Sequence, residues 1–420
     1  MKFLFRNATI IDKHSPYHNQ LVNILIKNDQ IEAIGEGIND NKAKEIDLNG
    51  AYVSPGWVEL HSNFSDPGNE DREDILSGSA AAAAGGFTIV AVVPSTNPIT
   101  QSKSDIEYLI KKGDDTAVHI LPLGAVSRDL KGEEITEMFD MAKAGAIGFY
   151  DDKNSIKNPN LLKVALLYSK EIAPILVHAR HPDLTAGGQM NEGIVSTNLG
   201  LKGIPSFAEE LMIARDLFIS EYTGTGIHFA GISSAGSVQL IREAKEKGLA
   251  VTADVNFYNL ILTESALETF DTNYKVNPPL RTQSDLQALI EGLNDGTIDA
   301  IAIDHTPQDV ERKRCEFDHA AYGIAGIETA FSALNPIFKQ LKLDVFIEKI
   351  SSNPRKILNL PEIKIIEGAI ADLTVFSISE KWELSRKNAL SKAANNPFLN
   401  QPLKGKVIGT FNKGKFTQGH

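Results

Sequence analysis

Histidine and aspartate recur in this 420-residue chain where short apolar runs come to an end. His61 and Asn63 close the run at 57–63, Asp151 and Asp152 the run at 146–151, His178 the run at 174–180, and Asp304 and His305 the run at 298–303. If 57–63 is a strand, period-2 alternation puts His61 and Asn63 on one face. An imidazole there is a good metal ligand and a carboxamide a poor one. Imidazole with carboxylate is the donor set of Zn²⁺ or a similar divalent ion, which activates a water for hydrolysis. A single His or Asp after a strand is ordinarily a turn former or a helix cap. Four such ends at one mouth are harder to explain that way, and they predict a metal-hydrolase ancestry.

The elements that would bring them together can be read from the pattern. Candidate strands fall at 53–62, 88–95, 118–126, 146–151, 174–180, 226–233, 250–255 and 298–303, with helical periodicity at 75–84, 161–172, 207–220 and 235–247. Eight strands alternating with helices predict a (β/α)₈ barrel of the TIM type spanning 53–365, whose chemistry sits at the carboxyl ends of its strands. A doubly wound open sheet is the alternative; no Gly-rich dinucleotide fingerprint follows an early strand to support it. Residues 1–52 and 366–420 are β-rich, with turn chemistry at Lys27-Asn28-Asp29-Gln30, so both termini are expected to form one small composite β-sandwich.

Composition narrows the function. A net charge of −12 argues against nucleic acid or an anionic membrane as partner. Cys315 is the only cysteine, which leaves neither an intramolecular disulfide nor a thiolate metal cluster. Met1 leads straight into Phe3-Leu4-Phe5 without a signal-peptide pattern, and no apolar run approaches the roughly 20 residues that span a bilayer. A cytoplasmic protein is expected.

Several stretches are more specific than spacing. The run Ser54-Pro55-Gly56-Trp57-Val58-Glu59-Leu60-His61-Ser62-Asn63 resembles the first-strand signature of the cyclic amidohydrolases, and of bacterial dihydroorotases in particular. So do Asn273-Tyr274-Lys275-Val276-Asn277-Pro278-Pro279-Leu280-Arg281 and Gly296-Thr297-Ile298-Asp299-Ala300-Ile301-Ala302-Ile303-Asp304-His305. Shorter matches at Leu201-Lys202-Gly203-Ile204-Pro205, Asn353-Pro354 and Asn396-Pro397-Phe398 extend the likeness from end to end.

The resemblance implies interconversion of N-carbamoyl-aspartate and dihydroorotate in pyrimidine synthesis, with two zinc ions in the barrel mouth. It places retained metal positions at His61, Asp151, His178 and Asp304, with Asp304 also the catalytic base. Retained substrate-binding positions would be Asn277, Tyr322 and Gly323. Asn63 and Gly231 stand where the family has ligand histidines; Ser65, Ser95 and Gln308 replace its arginine, asparagine and histidine at the substrate. A serine cannot make the charge-assisted bidentate pair that an arginine makes with a carboxylate. With one ligand imidazole lost from each metal position, at Asn63 and at Gly231, no metal or at most one is expected here. Arg180, two residues past His178, is a candidate substitute cation that pairs with Asp151 or Asp304, or else is simply solvated. His228 is expected to face away from the mouth.

Two functional readings follow. One is a non-catalytic dihydroorotase homologue that acts as partner of aspartate transcarbamoylase, itself a homo-oligomer such as a dimer. The other is an active metal-dependent cyclic amidohydrolase with a reduced metal site.

Overall fold

Eight strands pair in chain order: β1 (Trp57–Ser62), β2 (Phe87–Val92), β3 (His119–Gly124), β4 (Gly148–Tyr150), β5 (Ile175–Val177), β6 (Ile227–Phe229), β7 (Val251–Asn256) and β8 (Ala300–Ala302). The computed structural model describes residues 2–420, and in it every one of these pairings is parallel. β1 and β2 are buried at every position, as expected for strands covered on both faces. The ring closes between β8 and β1 through the Asn63 N–H, which donates to the His305 carbonyl at 2.8 Å. The Glu59 carboxylate completes the seam, accepting from the N–H groups of Ile303 (2.7 Å) and Asp304 (3.0 Å). This is the expected (β/α)₈ barrel, and Glu59 fixes the backbone of a site residue from across the seam.

The intervening helices follow their caps. Asp74 accepts from the Ser77 N–H and opens Ile75–Ala84; Asn158 and a proline in the first turn open Pro159–Ser169. Phe207–Thr223 and Ala235–Glu246 complete the part of the outer layer that frames β5 to β7.

Both termini share one further sheet. Tyr52–Pro55 from the amino-terminal part pairs antiparallel with Leu373–Glu383 from the carboxyl-terminal part, Val53 opposite Val375. The stretch 53–62 is therefore not one strand. Its first residues belong to the terminal sheet and its last to the barrel, with Gly56 between them. A Cβ at Gly56 would lie 1.8 Å from Asp372 Oδ1 and 2.2 Å from Thr88 Oγ1, so no larger residue fits this junction. Trp57 anchors the two parts, its ring 5.4 Å from Phe376 in the terminal sheet and 5.1 Å from Phe331.

Candidate active site at the barrel mouth

The carboxyl ends of β1, β7 and β8 bring one polar cluster together. His61 on β1 has Nε2 3.0 Å from Asp254 Oδ2 on β7 and Nδ1 3.6 Å from Asp304 Oδ1 just past β8. Asp254 also takes His228 Nε2 at 2.9 Å and the Gly231 N–H at 2.8 Å, while His228 Nδ1 sits 2.9 Å from Thr252 Oγ1. Thr252 and Asp254 lie two apart on β7 and so share its inward face. The cluster has a second cation. Lys153 Nζ stands 2.8 Å from Asp304 Oδ1, and the Tyr258 hydroxyl donates to Asp304 Oδ2 at 2.7 Å.

These contacts set the charges. Burial disfavours an imidazolium at His61, but Asp254 and Asp304 outweigh it and hold the pKa well above its ordinary value. Burial raises Asp254, and its two histidines more than reverse that. Asp304 is likewise raised by burial and brought below its ordinary value by Lys153 and His61. Two buried carboxylates thus face two cations, the condition under which buried charges are tolerated.

The rest of the mouth is different. His178 is buried, yet neither ring nitrogen has a hydrogen-bond partner. Burial, followed by the fields of Lys153 and Arg180, pushes its pKa down to about 3, so the ring is neutral. Asp151 is turned towards the segment after β3, where it accepts from the N–H groups of Val126 (2.8 Å) and Ser127 (3.0 Å) and from the Ser127 hydroxyl. Its neighbour Asp152 instead feels Lys153, Asp304 and His61.

The replaced positions bond to one another. Asn63 Oδ1 accepts from the Ser65 N–H at 2.7 Å, Asn63 Nδ2 donates to Ser95 Oγ at 3.2 Å, and the Ser95 hydroxyl donates to Asp152 at 2.5 Å. Gln308 Nε2 donates to the Tyr322 carbonyl at 3.0 Å, and the Gly323 N–H donates to the Lys275 carbonyl at 2.9 Å. The Tyr322 hydroxyl is engaged by the Gly188 carbonyl at 2.7 Å. Asn277 is buried beside the cluster, its carbonyl 3.4 Å from the Tyr258 hydroxyl.

Two expectations are corrected. Arg180 does not pair with Asp151 or Asp304: its Nε donates to Thr185 Oγ1 at 2.9 Å, and among the described residues no carboxylate pairs with it. Lys153 holds Asp304 instead. Its signal was its place directly after Asp151-Asp152 at a strand end. His228 does not face away, because alternation cannot be carried from Gly231 back to it. β6 stops at Phe229, and Gly231 turns the chain at φ 66°. Asp254 and Tyr258 were also missed, though an aspartate at alternating register in the buried run 250–255 was legible as an inward polar group.

The donor set does not fit a pair of divalent ions. Lys153 stands on the Asp304 carboxylate, Asp151 is turned aside, and His178 has no second donor beside it. Among the described residues, no three His, Cys, Asp or Glu groups converge so as to hold a metal ion.

Comparison with known proteins places this geometry in context. The family described as dihydro-orotase-like matches residues 50–237. The dihydroorotase of Syntrophus aciditrophicus (strain SB) is 42% identical over 421 residues, covering 99% of each chain. That of Thermoanaerobacter sp. (strain X514) is 42% identical, covering 99% of this chain and 97% of its own. Among solved structures, the L-hydantoinase (dihydropyrimidinase) from Arthrobacter aurescens superposes with a TM-score of 0.87 at 23% identity, covering 100% of this chain and 96% of that one. The dihydropyrimidinase from Brevibacillus agri NCHU1002 gives 0.84 at 24% identity, covering 100% and 95%. At such identities the solved structures speak to the fold alone.

Proposed function

The chain belongs to the dihydroorotase family, and from that premise we propose that it serves de novo pyrimidine biosynthesis as a non-catalytic homologue acting by interaction. One observation carries the reading: the Lys153 ammonium lies 2.8 Å from Asp304, the residue that family resemblance makes the base. A carboxylate held by a fixed cation and a tyrosine hydroxyl is a poor proton acceptor, since both partners stabilise its charged form. The Ser65–Asn63–Ser95–Asp152 chain of hydrogen bonds supports it, because these side chains satisfy one another rather than face a ligand. Gly231 supports it too: a Cβ there would lie 2.9 Å from Asn256 Nδ2, at a φ of +66°.

On this reading the protein holds at most one metal and works in the cytoplasm; no helix among the described residues is long and apolar enough to cross a membrane. Its action would run through its surface. The helices Pro159–Ser169 and Phe207–Thr223 pack together and leave Leu167, Phe218 and Tyr222 at 52%, 73% and 79% exposure. Apolar groups so exposed suit a protein partner or a second copy. Aspartate transcarbamoylase is the partner that family resemblance suggests, and a dimer the expected assembly.

Metal analysis and turnover on the purified full-length protein test the reading. Less than stoichiometric zinc and no hydrolysis of dihydroorotate are expected. Stoichiometric zinc with measurable turnover would sink it and establish an active cyclic amidohydrolase with a reduced metal site. Co-purification with aspartate transcarbamoylase is expected; a solitary monomer would remove the partnership.

A further inference from the structure

A cavity of about 430 Å³ lies between the segments that follow β3, β4 and β5. Four of its lining residues are cationic, Lys131, Lys153, Lys157 and Arg180, against a single carboxylate, Glu133. The chain as a whole carries 54 acidic and 42 basic residues, so this cavity runs against the overall balance. None of Ser65, Ser95, Asn277 or Gln308 lines it.

Two of these cations form internal ion pairs and two do not. Lys153 faces inward to Asp304, and Lys131 meets Asp129 at 3.2 Å on the exposed rim. Arg180 and Lys157 pair with no carboxylate among the described residues. The Arg180 guanidinium is nonetheless held in place, its Nε donating to Thr185 Oγ1 at 2.9 Å and one terminal nitrogen to the Thr185 carbonyl at 3.4 Å. Its other terminal nitrogen has no partner. The backbone beneath it is fixed through Ser155, which accepts from the Arg180 N–H at 3.0 Å and donates to the His178 carbonyl at 2.6 Å. A half-buried guanidinium clamped on one edge and free on the other is preorganised for an oxyanion. Beside it lies His178, a buried imidazole without a hydrogen-bond partner.

We propose that this cavity is a binding site for a small dianionic metabolite, its two charges carried by a phosphoryl group or by two carboxylates, with Arg180 and Lys157 as principal contacts. A cavity of this size lies within the range of small-ligand sites. The site stands whether or not the barrel mouth turns over a cyclic amide, because it uses neither Asp304 as a base nor a metal.

Titration calorimetry on the full-length protein, at constant ionic strength set with chloride, tests the proposal with inorganic phosphate and with succinate as probes. Saturable binding of at least one probe is expected, and which one binds identifies the source of the charge. Arg180→Gln with Lys157→Gln should weaken that binding at least about tenfold, and Arg180→Lys should restore part of it. Unfolding temperatures without probe establish that the variants fold. Absence of saturable binding by either probe overturns the proposal, and so does binding that the double variant leaves unchanged.

Discussion

On the β1, β7 and β8 side of the mouth, His61, Asp254 and Asp304 each have an opposite charge within reach; on the β5 side, His178 has no partner and Arg180 reaches only a threonine. Both sides are built from residues at carboxyl strand ends, and both are buried or half-buried. The difference lies in what arrived beside them. Lys153 and Asp254 convert His61 and Asp304 into a neutralised network, whereas neither ring nitrogen of His178 makes a hydrogen bond. A barrel mouth therefore need not act as one electrostatic unit. One half can be tied down while the other stays available to a solute.

The sharpest way to break this contrast is to remove the cation. Lys153→Met leaves Asp304 buried beside Asp254 and Asp152 with one positive charge fewer, and should cost roughly 3–5 kcal/mol in urea unfolding at pH 7. Arg180→Met removes a guanidinium that no carboxylate answers and should cost under about 1 kcal/mol. Equal losses in the two variants would mean that the sides do not differ as described.

Gly231 sharpens the paired side. Its N–H holds Asp254 at 2.8 Å while its φ of 66° and the nearness of Asn256 exclude a side chain. Gly231→Ala should destabilise by about 1–3 kcal/mol, and Asn256→Gly should relieve the contact part of that loss but not the backbone part. Full relief by Asn256→Gly would show that φ strain contributes nothing.

Protonation separates the two sides by sign. His61 has a folded pKa well above the ordinary 6.5, so its stabilisation is complete below that value and is lost as pH rises towards the folded pKa. His178 is the reverse. With a folded pKa of about 3 against 6.5, its contribution is present above 6.5 and is lost as pH falls, at about 1.4 kcal/mol per pH unit for one group. Asp254 and Asp304 add a loss only as pH falls below the ordinary 3.8. Asp151 and Asp216, each raised by burial to about 6, oppose the His178 loss below pH 6, so the part of each histidine is read by urea unfolding as the difference between the wild type and its glutamine variant. A difference between wild type and His61→Gln that stays constant from pH 5 to 8 would contradict the His61 assignment.

How far the sequence foretold this depends on how far periodicity can be carried. Six of the eight barrel strands lie inside the runs read from pattern, and β2 and β7 overrun theirs by one residue each, because continuous burial gives continuous apolar stretches. His61 and Asp304 were legible as site residues for the same reason: each directly ends such a run. Beyond a strand end alternation fails. Asp152 and Asp304 take φ of 51° and 53° and Gly231 66°, so parity counted from Gly231 misassigned His228. Pairing was the harder part. Lys153 and Arg180 are both cations just past barrel strands, and which of them reaches Asp304 depends on loop geometry that no local pattern encodes.

The smallest expected effect belongs to His178 itself. At pH 7.5 the ring is neutral both folded and unfolded, and it forms no hydrogen bond that replacement would break. His178→Gln should thus change stability by less than about 1 kcal/mol there, the range of a roughly volume-conserving change. At pH 5 the comparison reverses in favour of the variant. Unfolded wild-type chain gains a proton on His178 that the folded chain excludes, whereas glutamine gains none, so the variant should lose less stability between pH 6.5 and 5 by up to about 2 kcal/mol. Paired urea titrations at the two pH values measure this directly. An acid limb unchanged by His178→Gln would mean that His178 finds a partner in solution, and the open side of the mouth would then be as closed as the other.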